Sequence, residues 1–299
     1  MFAIFSAIKQ SDKHSVVGFA RRVVTEHQFS YRTSAAWQRS MGTASAQQQQ
    51  QKHTEESDRR VAVASSSRMQ LSEFLQPTFQ ALLVDAAGTL LNPSESMTDV
   101  YLRYGKRYGL SLTPREILRR YRVAYSTPWA QSSIRYVDDG RPFWRFIVKE
   151  STGIENEEMF EEIYEYYSRA EAWVVAPGAE KALRKIRQSG IKTAIVSNFD
   201  SRLHRIMQEM GLKDLFDAII VSADVSAEKP NPVIFMKACE ELRVSPENVI
   251  HVGDDRRNDL FGARDAGCFA WLWGDDVLSF DHVQKRLETG NLFDSLSDL

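Results

Sequence analysis

"VDAAGTLL", residues 84–91, ends the apolar run "FQALLVD" on an acid followed by a glycine-containing turn. A short run dominated by Leu, Val and Ala, without polar alternation, reads as a strand buried on both faces. Four later segments repeat the pattern: "IKTAIVSN" (191–198), "FDAIIVSAD" (216–224), "ENVIHVGDD" (247–255) and "CFAWLW" (268–273). Between them lie "GAEKALRKIRQSG", "SRLHRIMQEMGL", "NPVIFMKACEELRV" and "NDLFGARDAG", each with apolar residues three and four apart. Gly190 and Gly211 read as helix stops, and Asp200 or Ser201 as an N-cap. Buried strands alternating with helices predict an α/β fold of βαβ units, a parallel sheet covered on both faces. One stretch breaks the alternation. Residues 97–172 contain helical patterns only and are too long for an ordinary strand-to-helix loop. They predict an all-α cap over the carboxyl edge of the sheet, with the core formed by 76–96 and 173–299.

The chain has 299 residues, 43% hydrophobic and 26% charged, which places it in the globular class. A formal net charge of -2 leaves no global basic field for nucleic acid or an anionic membrane surface, so a small-molecule partner is expected. Oligomeric state is not legible. The two cysteines, Cys239 and Cys268, each sit in an apolar segment, which argues against a disulfide framework or a Cys metal site. Residues 1–75 differ from the rest. Up to Lys52 the basic residues outnumber Asp12 and Glu26 among many Ser, Thr, Ala and Gln, the composition of an organelle transit peptide. The expectation is mitochondrial, with a chloroplast second and a disordered cytosolic tail as the alternative; "AQQQQQK" (46–52) and "VASSSRMQ" (63–70) read as linker.

In an open α/β sheet, ligands bind at the carboxyl ends of the strands. There stand Asp85, Ala87, Gly88 and Thr89, then Ser197 and Asn198, then Lys229 in the third loop, then Asp254, Asp255 and Asp259. Each has a plain explanation as a turn, cap or solvated residue. Together, at successive strand ends, they make chemical sense. A carboxylate can attack phosphorus if a cation screens the two anions, and two acids on neighbouring strands offer the hard oxygens that Mg²⁺ takes. A hydroxyl, an ammonium and backbone N–H groups near Gly88 can hold the phosphoryl oxygens.

From Phe79 to Trp273 the chain resembles the haloacid dehalogenase-like (HAD) hydrolase superfamily, through four ordered motifs: "DAAGT", "IVSN", "EKPNP" and "GDDRRND". The resemblance implies a Rossmann-like core, a doubly wound parallel sheet in the order 3-2-1-4-5, with a helical cap of the first type. By position, Asp85 would be the nucleophile, with Lys229 as catalytic partner. Gly88, Thr89, Ser197 and Asn198 would bind substrate, and Asp85, the Ala87 backbone carbonyl, Asp254 and Asp259 would hold Mg²⁺. Asp259 has a second role open to it, holding the lysine, and Asp255 is less specific to the pattern. The departure is Ala87, where phosphatases of the family carry a second Asp that protonates the leaving alcohol and then activates water. General acid/base help is worth about 10²–10⁴ in rate.

Three relatives also depart at this position. The 2-haloacid dehalogenases, with "DxYGT", need no metal and lack the fourth-motif acids present here. Phosphonoacetaldehyde hydrolase, with "DxAGT", uses a cap lysine, for which only Lys106 and Lys149 are available. The group called haloacid dehalogenase-like hydrolase domain-containing protein 3 is similar in lacking the second Asp and in carrying "SNFD", here Ser197 to Asp200. Three readings therefore stand: a Mg²⁺-dependent phosphatase of a small phosphorylated metabolite, weakened or specialised by Ala87; a catalytically weak binding or regulatory protein; and, third, a dehalogenase-type hydrolase. The aromatic and basic residues of the cap, among them Tyr101, Tyr121, Tyr125, Trp144, Arg119, Arg120, Arg141 and Arg145, read as a packed face plus a solvated face rather than a nucleic-acid surface. His204 and His251 read as helix surface and strand interior.

Overall fold

A computed structural model describes residues 79–129 and 134–290. The transit-peptide and linker expectations fall outside the described residues. The chain enters through β1 (Ala81–Val84) and β2 (Leu91–Pro93), then forms α1 (Met97–Gly105), α2 (Pro114–Ser126), α3 (Arg141–Thr152) and α4 (Glu157–Tyr167). It returns through β3 (Trp173–Val175) into α5 (Ala179–Gln188), β4 (Lys192–Ser197), α6 (Arg202–Glu209), β5 (Ala218–Val221), the single turn α7 (Ser222–Val225) and α8 (Pro232–Leu242). The last part is β6 (Val249–Gly253), a π-helical turn at Arg256–Phe261, α9 (Gly262–Asp265), β7 (Phe269–Leu272) and α10 (Phe280–Thr289).

Five strands make one parallel sheet in the order β5-β4-β1-β6-β7, the predicted 3-2-1-4-5. Each strand carries its side chains to alternate faces. Ala81 and Leu83 of β1 join a core with Ala194, Val196, Ile234, Phe235 and Ala263, under α8 and α9. Leu82 and Val84 face the other way, with Ile195, Leu183, Leu203 and Val283, under α5, α6 and α10. This second core runs on without interruption into the inserted helices, through Tyr101, Ile117, Phe143 and Ile163. Sheet and insertion therefore share one apolar body.

Local chemistry accounts for the helix starts. Ser96 caps α1 by accepting from Asp99 N, and Thr113 caps α2 by accepting from Glu116 N with Pro114 in the first turn. Asn156 caps α4 and Asn231 caps α8 in the same way. Gly190 and Gly211 take φ of +90° and +69° after their helices, as stop signals should. Two features escape the periodicity argument. β2 and β3 pair antiparallel, Leu91 with Val175 and Pro93 with Trp173, and tie together the two feet of the insertion. Strands of three residues are too short to show a period. The π-helical turn replaces the start of the helix expected at 258–267.

The tyrosines of the insertion are packed, with Tyr101, Tyr121, Tyr125 and Tyr136 buried, and its arginines are paired: Arg119 and Arg120 with Glu116, Arg145 with Glu157, Arg141 with Asp139 and Glu161. Among the described residues no helix is long and apolar enough to cross a membrane. Cys239 and Cys268 are buried and free, with sulfurs 4.0 Å apart.

Leu83 is fully buried in the central strand, so Leu83→Ala should lower unfolding stability by about 2–5 kcal/mol. A urea titration should show the midpoint falling with an unchanged slope.

Candidate active site

The sheet order puts the end of β1 beside the ends of β4 and β6. Val84 lies level with Ile195 on one side and Val252 on the other, and Asp85 N donates to Val252 O at 2.9 Å. The crevice where strand order reverses therefore opens at Asp85.

Lys229 lies at its centre. Its ammonium, 2% exposed, donates to Asp85 Oδ1 at 2.7 Å, to Asp259 Oδ1 at 2.6 Å and to Val196 O at 2.9 Å. An ammonium has three donors, and all three are committed. Burial pulls this ammonium toward neutrality, and the two carboxylates more than offset it, so its pKa stands above the ordinary lysine value. For Asp85, burial is the leading cause and pushes the carboxyl up to about 6, with Lys229 pulling the other way and Asp259 adding to the rise. Burial also opposes ionisation of Asp259, yet Lys229 and His251 hold it well below the usual carboxylate range. The two acids bracketing one lysine are thus pushed apart in basicity by their surroundings.

Asp259 is enclosed on every side. Its Oδ1 also receives His251 Nε2 at 2.9 Å, and its Oδ2 accepts Asp255 N at 2.9 Å. Gly253 makes room for it, since a Cβ there would lie 2.2 Å from the Asp259 Cγ. Of the two roles open to Asp259, holding the lysine is the one its contacts perform. Asp255 accepts from Arg257 N and Asn258 N, the plain capping role. Carboxylate oxygens of Asp85, Asp254 and Asp259 lie within 4.8 Å of one another. Gly88, at φ +102°, leaves the space that the Asp254 carboxylate fills, because a Cβ there would meet it at 2.9 Å.

Ser197 and Thr89 are buried; among the described residues the Thr89 hydroxyl has no hydrogen-bond partner, and the Ser197 hydroxyl lies close enough to the Asp85 carboxyl to lower its pKa. A buried hydroxyl without a partner awaits a polar guest. Asn198 is used differently from the expectation. Its side chain donates to Lys229 O at 2.9 Å and accepts Lys229 N at 2.6 Å, so its amide positions the lysine loop. Ala87 is 1% exposed, among apolar neighbours. Lys106 is exposed and Lys149 pairs with Glu155 at 2.6 Å, so neither insertion lysine joins the carboxylates.

Reading by residue type missed three participants. His251 points from the middle of β6 to Asp259; a histidine inside an apolar strand requires a buried partner, and that was the available signal. Burial holds its pKa below the ordinary value. Glu228, next to Lys229, accepts the backbone N–H groups of Arg135 and Tyr136. Asp200 reaches the insertion through Trp144 Nε1 at 2.8 Å. Neither pairing has a sequence signature, because the partners are more than fifty residues apart.

Comparison with known proteins agrees with this arrangement. A family profile described as haloacid dehalogenase-like hydrolase matches residues 79–267. The haloacid dehalogenase-like hydrolase domain-containing protein 3 of Xenopus laevis is 29% identical over 198 residues, covering 63% of this chain and 81% of that protein. A HAD phosphatase from Thermococcus onnurineus is 25% identical with a TM-score of 0.52, covering 70% of this chain and 97% of that one. The HAD-hydrolase YfnB from Bacillus subtilis, 18% identical with a TM-score of 0.56 and covering 70% and 99%, shares the fold. With the profile spanning more than half of the chain and running through every strand-end residue described above, the chain belongs to the haloacid dehalogenase-like hydrolases.

Proposed function

We propose that this hydrolase is a phosphatase that acts on a small phosphorylated metabolite through a phosphoryl group carried on Asp85. The observation that carries this reading is the acid cluster of Asp85, Asp254 and Asp259, within 4.8 Å, with the Lys229 ammonium bridging Asp85 and Asp259. The donors suit Mg²⁺: hard oxygens from Asp85 and Asp254, to which the Ala87 carbonyl would add. When bound, Mg²⁺ supplies the positive charge that lets a carboxylate approach a phosphate.

The residues of the chain do the remaining work. Lys229 fixes Asp85 Oδ1, and the second oxygen attacks phosphorus as the bond to the leaving oxygen breaks. The buried hydroxyls of Ser197, beside Asp85, and Thr89 donate to the phosphoryl oxygens. Water then cleaves the acyl phosphate, releasing phosphate and restoring the carboxylate. The alanine at 87 offers neither a proton to the departing alkoxide nor a base to the water, so turnover depends on the acidity of the leaving group. That dependence also favours a second reading, a weak enzyme that binds a phosphorylated ligand. A dehalogenase reading, which needs no metal, leaves the cluster of acids unexplained. An organellar destination, mitochondrial before chloroplast, belongs to the same proposal and is tested by sequencing the amino terminus of the mature protein.

Asp85→Asn should abolish phosphate release, a loss of about 10³-fold or more. Ala87→Asp should speed hydrolysis of alkyl phosphates by up to about 10²–10⁴ and barely affect an aryl phosphate, whose leaving group needs no proton. Release assays on both ester types, with Mg²⁺ and with EDTA, check this; no turnover of the aryl ester by either the parent chain or Ala87→Asp would leave the binding reading.

Metal binding needs Asp85 ionised, and in the metal-free protein its carboxyl titrates near about 6. Protons compete below that pH, so Mg²⁺ affinity should rise as pH increases through 6 and level off above it. Calorimetric titrations at pH 5, 6 and 7.5, roughly spanning the transition, measure the trend.

A further inference from the structure

β4 ends at Ser197, and three residues on, in the loop that follows, lies Asp200, whose carboxylate is fully buried. Its Oδ1 accepts Arg202 Nε at 2.7 Å and Arg202 N at 3.1 Å, and its Oδ2 accepts Arg202 Nη2 at 2.7 Å and Trp144 Nε1 at 2.8 Å. Trp144 belongs to α3. The Arg202 guanidinium lies 3.9 Å from the centre of the Tyr164 ring of α4 and donates to Ser168 Oγ at 3.3 Å. One core carboxylate therefore grips two helices of the insertion.

The segment 134–140 is stitched to the same loop. Ser201 N donates to Asp138 O at 3.0 Å, and Gly140 packs so closely that a Cβ would lie 2.8 Å from Asp200 Oδ2. Its other end is held by Glu228, the neighbour of Lys229, through the N–H groups of Arg135 and Tyr136. The segment thus spans from the loop of Ser197 to the loop of Lys229. The buried Asp200–Arg202 pair lies within the core itself, so what crosses to the insertion is the Trp144 indole hydrogen bond together with the Arg202 contacts to Tyr164 and Ser168; opening would leave the buried Asp200 carboxylate one donor short.

We propose that Asp200 is a positioning residue, a latch that holds α3, α4 and residues 134–140 down over the carboxyl edge of the sheet and keeps the insertion closed on Ser197 and Lys229. The latch itself is independent of the phosphatase reading; its kinetic consequence rests on it. A substrate would bind productively only to the latched state, so weakening the latch lowers the competent fraction and raises KM rather than slowing the chemical step.

The test compares the full chain with Trp144→Phe, which keeps one aromatic ring but removes the indole donor and its fused ring, and with Trp129→Phe, which makes the same truncation away from Asp200. Trp129 packs on Phe143 and Phe146 of α3 but makes no bond to Asp200. Amide hydrogen exchange and steady-state hydrolysis of an aryl phosphate with Mg²⁺ are measured on all three. Trp144→Phe should speed exchange across 134–152 by about tenfold, leave β1 and β4 unchanged, and raise KM only in proportion to the fall in the latched fraction, with kcat within about twofold. Trp129→Phe should match the parent chain. Unchanged exchange in Trp144→Phe, equal loosening in the control, or a fall in kcat at constant KM overturns the proposal. If no protein hydrolyses the ester, the phosphatase reading falls, and exchange alone decides the latch.

Discussion

A single buried ammonium organises the functional end of this molecule. Lys229 has no contact with water to lower its energy, so it must be surrounded by oxygens, and those oxygens come from three different strand ends: Asp85 after β1, Val196 in β4 and Asp259 beyond β6. A lysine buried without partners would lose its proton or unfold its surroundings. Much of the nearby structure serves this pairing. Asn198 clamps the lysine backbone, Gly253 gives Asp259 its place, and His251 and Asp255 N occupy the Asp259 oxygens that Lys229 leaves over.

The pairing is unequal, and the inequality matters for chemistry. Asp259 is saturated with donors and is held strongly acidic, so it acts as a fixed counter-charge. Asp85 has one oxygen tied to the lysine, and burial leaves it more basic than an ordinary carboxyl. A more basic carboxylate is a better nucleophile once it is ionised. Nothing comparable stands at position 87, where a methyl group lies among apolar neighbours. In the proposed reaction, the site would serve the attacking half of a group transfer and leave the departing half to the substrate.

The helical insertion stands over this arrangement without contributing its own charged residues to it. Arg119, Arg141 and Arg145 are paired with acids of the insertion itself, and Tyr101, Tyr121, Tyr125 and Tyr136 are packed inside. What links it to the chemistry is the pair of acids at the loops of Ser197 and Lys229, Asp200 and Glu228, each reaching across to the insertion. Asp200 lies three residues after Ser197 and Glu228 immediately before Lys229, so the insertion is tied directly to the loops that carry the acid cluster's neighbours.

Sequence alone determined the five strands, the helices between them and the inserted helices, because buried strands and amphipathic helices have short periods that survive in one dimension; the strand order carries no period and followed from the resemblance of the four motifs. It also determined the residue types at the strand ends, since a parallel sheet sends all of its carboxyl ends to one edge. Tertiary structure alone decided how those residues divide the work. That Asp259 holds a lysine and a histidine, that Asn198 serves the backbone of Lys229, and that Asp200 grips Trp144 all depend on pairs of atoms brought together from distant positions. The physical reason is that a buried polar group is satisfied by whichever partner the packing brings within about 3 Å, and that choice leaves no periodic trace in the chain. The short ribbon of β2 and β3 was hidden for a related reason, its three-residue strands being defined by their pairing and not by their composition.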